Sequence, residues 1–146
     1  MKYCYEYPQP AVTVDAAVLV KQNESWSILL IKRKNAPYQG CYALPGGFVD
    51  ENETLEDAVV RELLEETNLE LKNLNQFRAY SAPDRDPRGR TISVVFIAFL
   101  HEFPSVLAGA DAASANWFLL NKLPELAFDH AEIVNDIKEA ISEQKI

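Results

Sequence analysis

The stretch LPGGFVDENETLEDAVVRELLEETNL, residues 44–69, sets the terms on which the rest of the chain is read. Its second half is helical by pattern. Thr54, followed three residues later by Asp57, resembles a capping box, and apolar residues then recur at helical spacing through Leu69. At about 100° per residue, Leu55, Val59, Glu62 and Glu66 descend a single stripe. That stripe begins apolar, as a core-facing surface should, and ends in carboxylates, with Glu65 beside them. Like charges at i,i+4 cost a helix a few tenths of a kcal/mol, and more in dry surroundings. On the triplet alone two readings are open. One is a solvated face on which Arg61 and Glu65 form an ordinary i,i+4 pair. The other is a set of hard oxygen ligands on a rigid helix, suited to Mg²⁺ or Mn²⁺. Gly46-Gly47 upstream favours the second, because glycines let the backbone turn closely against the helix start and present a carbonyl as a further ligand.

Upstream of that segment, AVTVDAAVLV (11–20) and SILLIKR (27–33) read as strands, with QNESW (22–26) as the turn between them. Residues 35–53 read as a long connection rich in Gly and Pro. Downstream, 71–82 supplies one or two strands and PDRDPRGR (83–90) a polar loop. TISVVFIAFLHEF (91–103) is the strongest strand pattern in the chain. Residues 104–115 read as another loop, and 115–126 as a short strand leading to a turn. From Phe128 onward a second helix carries Ile133, Ile137 and Ile141 four apart. Mostly strands with two main helices, one mid-chain and one terminal, predicts an α+β or mixed α/β layered domain.

Composition narrows the function classes. At 146 residues the chain is most simply one domain, 1–146, with a sizeable core. A formal net charge of −8 argues against nucleic-acid or anionic-membrane partners, so an anionic substrate needs local positive charge or a bound metal. No apolar run approaches a membrane span, and MKYCYEYPQP lacks the charged start and apolar middle of a signal peptide. Two cysteines, Cys4 and Cys41, make neither a disulfide framework nor a four-thiolate zinc site, which predicts a reducing, cytoplasmic setting.

From Gly47, five residues lead to Glu53, seven more to Arg61-Glu62, and then follows LLEETNL. This spacing resembles the Nudix box, a pattern of about 23 residues. Every charged position is filled; the glycine usual after the paired glutamates is Asn68 here, a residue that tolerates the left-handed conformation a helix stop needs. The resemblance implies a Nudix-type α/β/α sandwich with a mixed sheet. It further implies metal binding by Glu62, Glu65, Glu66 and the Gly46 carbonyl, with Arg61 and Glu53 orienting the glutamates. The reaction implied is attack of water on the phosphorus of a nucleoside diphosphate linked to another group, with Glu62 and Glu66 in the catalytic set.

Beyond the box, residues 11–50, SAPDRDPRGRTISVVFIAF and LPELAFDH are similar to the ADP-ribose pyrophosphatase branch of that family, and Pro83 lies fifteen residues past Asn68 as in that branch. The resemblance implies ADP-ribose as substrate, a small-molecule partner, and a homodimer. Arg85, Arg88 and Arg90 gather three of the fourteen basic residues within six positions, either to grip phosphate or to pair with Asp84 and Asp86. Tyr38, Tyr42 and Phe48 flank the glycine turn and are candidates for stacking on adenine. Asp129 is expected to cap the last helix, with His130 packed in its first turn. For the catalytic base, Asp111, six residues before Trp117, is the first choice and Glu102 the second. Alternatives are a Nudix enzyme acting on a nucleoside triphosphate or dinucleotide, and a module that senses ADP-ribose without cleaving it. Sensors of that kind add a C-terminal DNA-binding domain, whereas this chain ends at Ile146.

Overall fold

A computed structural model describes residues 2–146. Two long strands, β1 (Ala11–Gln22) and β2 (Ser25–Arg33), form a hairpin whose loop is only Asn23 and Glu24, both at positive φ (50° and 67°). Left-handed backbone at both central positions matches the twist of the flanking strands, so the strands extend further into QNESW than the sequence pattern indicates. Next come the short β3 (Tyr42–Ala43) and β4 (Gly46–Phe48), helix α1 (Leu55–Thr67), β5 (Asn75–Tyr80), β6 (Thr91–Leu100), β7 (Ala112–Leu119) and helix α2 (His130–Ser142). The seven strands make one mixed sheet. β1 and β6 run parallel from Ala11 opposite Thr91 to Val20 opposite Leu100, whereas the β1–β2, β2–β7, β2–β3 and β5–β6 pairs are antiparallel.

Both faces of the sheet are covered, which is why β1 and β6 read as nearly unbroken apolar runs rather than alternating ones. Val14, Ala16 and Val18 pack with Ala58, Val59 and Leu63 of α1; Ala17, Leu19, Ile28 and Leu30 pack with Ile133, Val134 and Ile137 of α2. The result is the helix–sheet–helix sandwich expected of this pattern. At α1's start the Thr54 side chain accepts a hydrogen bond from the Asp57 N–H at 3.1 Å, and at its end Asn68 adopts φ 59°, the left-handed stop.

Three expectations need correction. The stretch 35–53, which reads as connection, contains β3 and β4, paired with β2 and β1. β7 begins at Ala112, inside what reads as loop, because the small residues from 112 to 115 lie in register against Arg33 to Ile31 of β2. Asp129 stands at the N-cap of α2 but makes no capping hydrogen bond, since its carboxylate is held by Arg85 instead.

One feature of the topology positions the site. Along the same edge, β1 pairs with β4 through Thr13–Asp15 and then with β2 from Leu19 onward. Where the partner changes, a cleft opens beside the start of α2.

Candidate active site

Glu66 lies deepest of the three helix glutamates, 7% exposed, and its Oε1 accepts the Gly46 N–H at 2.7 Å. Burial pushes its carboxyl up to about 8 against that hydrogen bond, with Glu62, Asp15 and Asp111 repelling the charge as well. Glu62 is also raised, by burial first, against the pull of Arg61 and with the push of Glu65 and Asp111. Glu65 remains exposed. The glycine turn is required at close range: a Cβ on Gly47 would sit 2.5 Å from the Glu62 carboxylate.

Arg61 organises this end. Its guanidinium donates to both oxygens of Glu53 (2.6 and 2.8 Å), to Glu62 at 2.8 Å, to Glu65 at 3.2 Å, and to the Phe48 carbonyl at 3.1 Å. Glu53 in turn accepts the Asp50 N–H at 2.9 Å. These hydrogen bonds, Arg61's foremost, hold its carboxyl down at about 2. The planar fork ties the glycine turn, the loop before α1 and two glutamates into one unit.

From Glu66 a cleft of about 110 Å³ runs past Gly46, Gly47 and Phe48 to the N-terminus of α2. Its walls are flat. The Arg88 guanidinium lies 5.0 Å from the Phe48 ring centroid and 5.4 Å from that of Phe128, while Arg33 lies 4.9 Å from Phe128 on its own account. The cleft also takes in Thr13, Asp15 and His130. A second cavity of about 260 Å³ adjoins it, sharing Ile31, Arg33, Glu66 and Arg88 and adding Asp111 and Lys34.

The three loop arginines take different positions. Arg88 is half free: it grips Asp86 through Nε and Nη2 (3.1 and 2.8 Å) yet faces both cavities. Burial pushes Asp86 up, but its hydrogen bonds from Arg88 outweigh this and leave it below the usual carboxylate range. Arg85 lines the cleft but is committed to Asp129 by two bonds of 2.9 and 2.7 Å. Arg90 donates to the Ser81 carbonyl at 2.6 Å and lines neither cavity. Of the aromatic candidates, Phe48 lines the cleft. Tyr42 does not: its ring packs edge-on against Phe118 on the α2 side of the sheet. Tyr38 packs on Phe128, 4.9 Å between centroids.

Asp111 is brought to the box by the loop before β7. Leu107 N–H donates to the Thr67 carbonyl and Gly109 N–H to the Glu66 carbonyl, both at 2.9 Å, and the Asn68 side chain donates to Leu107. Glu102, just past β6, is exposed and lines neither cavity. Residues that sequence reasoning passed over are Asp15, Arg33 and Phe128. Asp15 had a visible signal: a lone carboxylate inside an apolar strand buried on both faces must have a polar purpose.

Among the described residues no three carboxylate, imidazole or thiolate side chains already stand at metal-holding distance, for Arg61 draws Glu62 and Glu65 onto itself. The donor chemistry nevertheless suits a hard divalent cation. Three carboxylates share one helix, and two of them are raised by burial and mutual repulsion that a cation would relieve.

This architecture and box define the class, and comparison agrees: the NUDIX domain model matches residues 9–137, and the chain belongs to that family. It is 54% identical over 130 residues to the ADP-ribose pyrophosphatase of Methanocaldococcus jannaschii, covering 89% of this chain and 74% of that protein. It is 33% identical to the ADPR responsive transcriptional repressor NtrR of Acinetobacter baylyi, covering 88% of this chain but only 53% of the repressor. Among solved structures, the NUDIX domain of Shewanella oneidensis NrtR complexed with ADP ribose superposes with a TM-score of 0.86 at 29% identity, covering 92% of this chain and 90% of that one. No helix among the described residues is long and apolar enough to cross a membrane.

Proposed function

We propose that the protein hydrolyses the diphosphate of ADP-ribose to AMP and ribose 5-phosphate, with Mg²⁺ or Mn²⁺ held by Glu62, Glu65, Glu66 and the Gly46 carbonyl. The observation that carries this reading is a single cleft in which buried Glu66 meets the flat, cationic wall of Phe48, Phe128 and Arg88. Carboxylates for a cation, a guanidinium for phosphate and phenyl faces for a base are what a nucleoside diphosphate needs. The name and 54% identity of the M. jannaschii relative support the same substrate. When bound, the cation neutralises the diphosphate, lowers the pKa of a water and steadies the leaving oxygen. Arg61 and Glu53 keep the glutamates in place, and Arg88 meets the diphosphate. Asp111, which lines the second cavity with Glu66, takes the proton of the attacking water. The setting is a reducing cytoplasm, with both cysteines unpaired, and the assembly a homodimer by likeness to the branch.

A second reading, a module that binds ADP-ribose without cleaving it, is favoured by the likeness to the A. baylyi repressor and to the ADP-ribose-bound NrtR domain of S. oneidensis. The test is a panel of ADP-ribose, NADH, ATP and dGTP with Mg²⁺, followed by product chromatography. ADP-ribose should exceed the others by at least about tenfold in kcat/KM, roughly 1.4 kcal/mol of transition-state discrimination. A flat profile or a triphosphate preference overturns the substrate. Tight binding of ADP-ribose without product establishes the sensor.

A further inference from the structure

The floor of the cleft holds two polar side chains that the reaction above does not use. Asp15 projects from β1 and His130 from the first position of α2; their side chains are only 9% and 4% exposed, and both line the cleft. Their outer atoms are already fixed. Asp15 Oδ2 accepts the Ser93 hydroxyl, and His130 Nδ1 accepts the Leu44 N–H at 3.0 Å. Since Nδ1 is an acceptor, the neutral ring carries its proton on Nε2. Burial above all keeps the imidazole in that neutral form by lowering its pKa, against the pull of Asp15 and Asp129 and with the push of Arg85 and Arg33. The inner atoms, His130 Nε2 and Asp15 Oδ1, stand 3.7 Å apart, too far to satisfy each other. A donor and an acceptor thus lie side by side on two residues that line the cleft together with Phe48 and Phe128. A ligand edge that carries the complementary acceptor and donor completes both at once.

We infer that Asp15 and His130 read the amino edge of the nucleobase, His130 Nε2–H donating to N1 of adenine and Asp15 Oδ1 accepting from its N6 amino group. The inference rests on the nucleotide reading above and goes further by fixing which base is accepted. Phe48, Phe128 and the Arg88 guanidinium stacked on both rings offer the base flat surfaces, a sequence-tolerant contact; the edge supplies the choice. Hypoxanthine presents the reverse pattern, N1–H and O6. It would set donor against donor and carbonyl against carboxylate, and a site built to hydrogen-bond one edge rejects the mismatched one strongly. The Arg85–Asp129 pair and Ser93 brace the two readers without occupying their inner atoms.

The test measures binding of AMP and IMP by calorimetry, and kcat/KM for ADP-ribose and its hypoxanthine analogue, in wild type and Asp15→Asn. Asparagine keeps an oxygen for Ser93 and turns an amide donor to the cleft. Wild type should favour adenine by at least about tenfold in both measurements, and Asp15→Asn should lower that ratio by at least about tenfold. Equal losses for both bases would assign the pair to a sugar and overturn the inference, as would an unchanged ratio. Should Asp15→Asn fail to fold, wild type alone decides: an ADP-ribose analogue with unsubstituted purine must lose at least about tenfold in kcat/KM, and equal use overturns the assignment. Base preference in AMP and IMP binding is independent of turnover, so absent hydrolysis would remove the catalytic reading while leaving this one to stand or fall by itself.

Discussion

A glutamate that is nearly dry, hydrogen-bonded to one backbone amide and pressed by neighbouring carboxylates is an expensive feature unless a cation resolves it. Glu66 is that residue, and its charge can be removed without its shape. Glu66→Gln still accepts the Gly46 N–H through its amide oxygen. It should lower kcat/KM at least about a hundredfold, roughly 2.7 kcal/mol, while the circular dichroism spectrum stays that of wild type. Wild-type rates at limiting Mg²⁺ would remove Glu66 from the metal site. Arg88 and Arg85, three positions apart, separate by the same logic. Arg88 is half exposed and stacked on two rings, so Arg88→Ala should weaken kcat/KM, and because it also strands the buried Asp86 carboxylate it should lower the melting temperature as well. Arg85 is buried against Asp129. Removing it strands a carboxylate, and Arg85→Ala should cost about 3–5 kcal/mol in thermal or urea unfolding. A wild-type melt for Arg85→Ala would show the pair to be dispensable.

Among the elements, α1 was the most legible, because a helix fixes the relation between its residues by spacing alone. Thr54, Val59, Glu62, Glu66 and Asn68 hold the positions their pattern implies. The remainder of the site was less so. Asp15, Arg33 and His130 come from three different elements, and only the change of pairing partner along β1 and the docking of α2 bring them together. No local period encodes such a meeting. Tyr42 shows the same limit from the other side: nothing in YALPGG tells which face of a two-residue strand its ring takes. The docking of the loop before β7 on α1 was not legible for a related reason, since its organising contact is a glycine against another element's backbone. A Cβ on Gly109 would collide with the Glu65 carbonyl oxygen. Gly109→Ala must therefore lift the loop from α1 and carry Asp111 away from the cavity. It should lower kcat as Asp111→Asn does, and in addition cost about 1–3 kcal/mol of stability, whereas Asp111→Asn should leave the melt unchanged. A kcat for Asp111→Asn equal to wild type would return the proton to a box glutamate or to Glu102.

At the scale of the whole molecule, these local charges shape how stability responds to pH and metal. The Glu66 carboxyl is raised to about 8 in the fold, against 4.5 as its ordinary value. A raised carboxyl binds its proton more tightly when folded, so its contribution is complete below about pH 4.5 and is lost as pH climbs through 8, a span worth up to about 5 kcal/mol. His130 works in the other direction: its lowered pKa gives stability above about 6.5 that disappears as the solution is acidified. In EDTA the melting temperature should therefore fall between pH 6.5 and 8.5, where Glu66 dominates, and that fall should be flattened in Glu66→Gln. Mg²⁺ binds the ionised carboxylates, so its stabilisation should grow over the same range, reaching about 2.7 kcal/mol at a hundred times its Kd. Scanning calorimetry of wild type and Glu66→Gln at several pH values, with EDTA or saturating Mg²⁺, reads all three quantities. An EDTA curve flat across that window would show that Glu66 carries no buried charge burden. An equal Mg²⁺ gain in Glu66→Gln would place the cation elsewhere on the molecule, because the fold would then be linking its stability to carboxylates other than the one the α1 stripe buries.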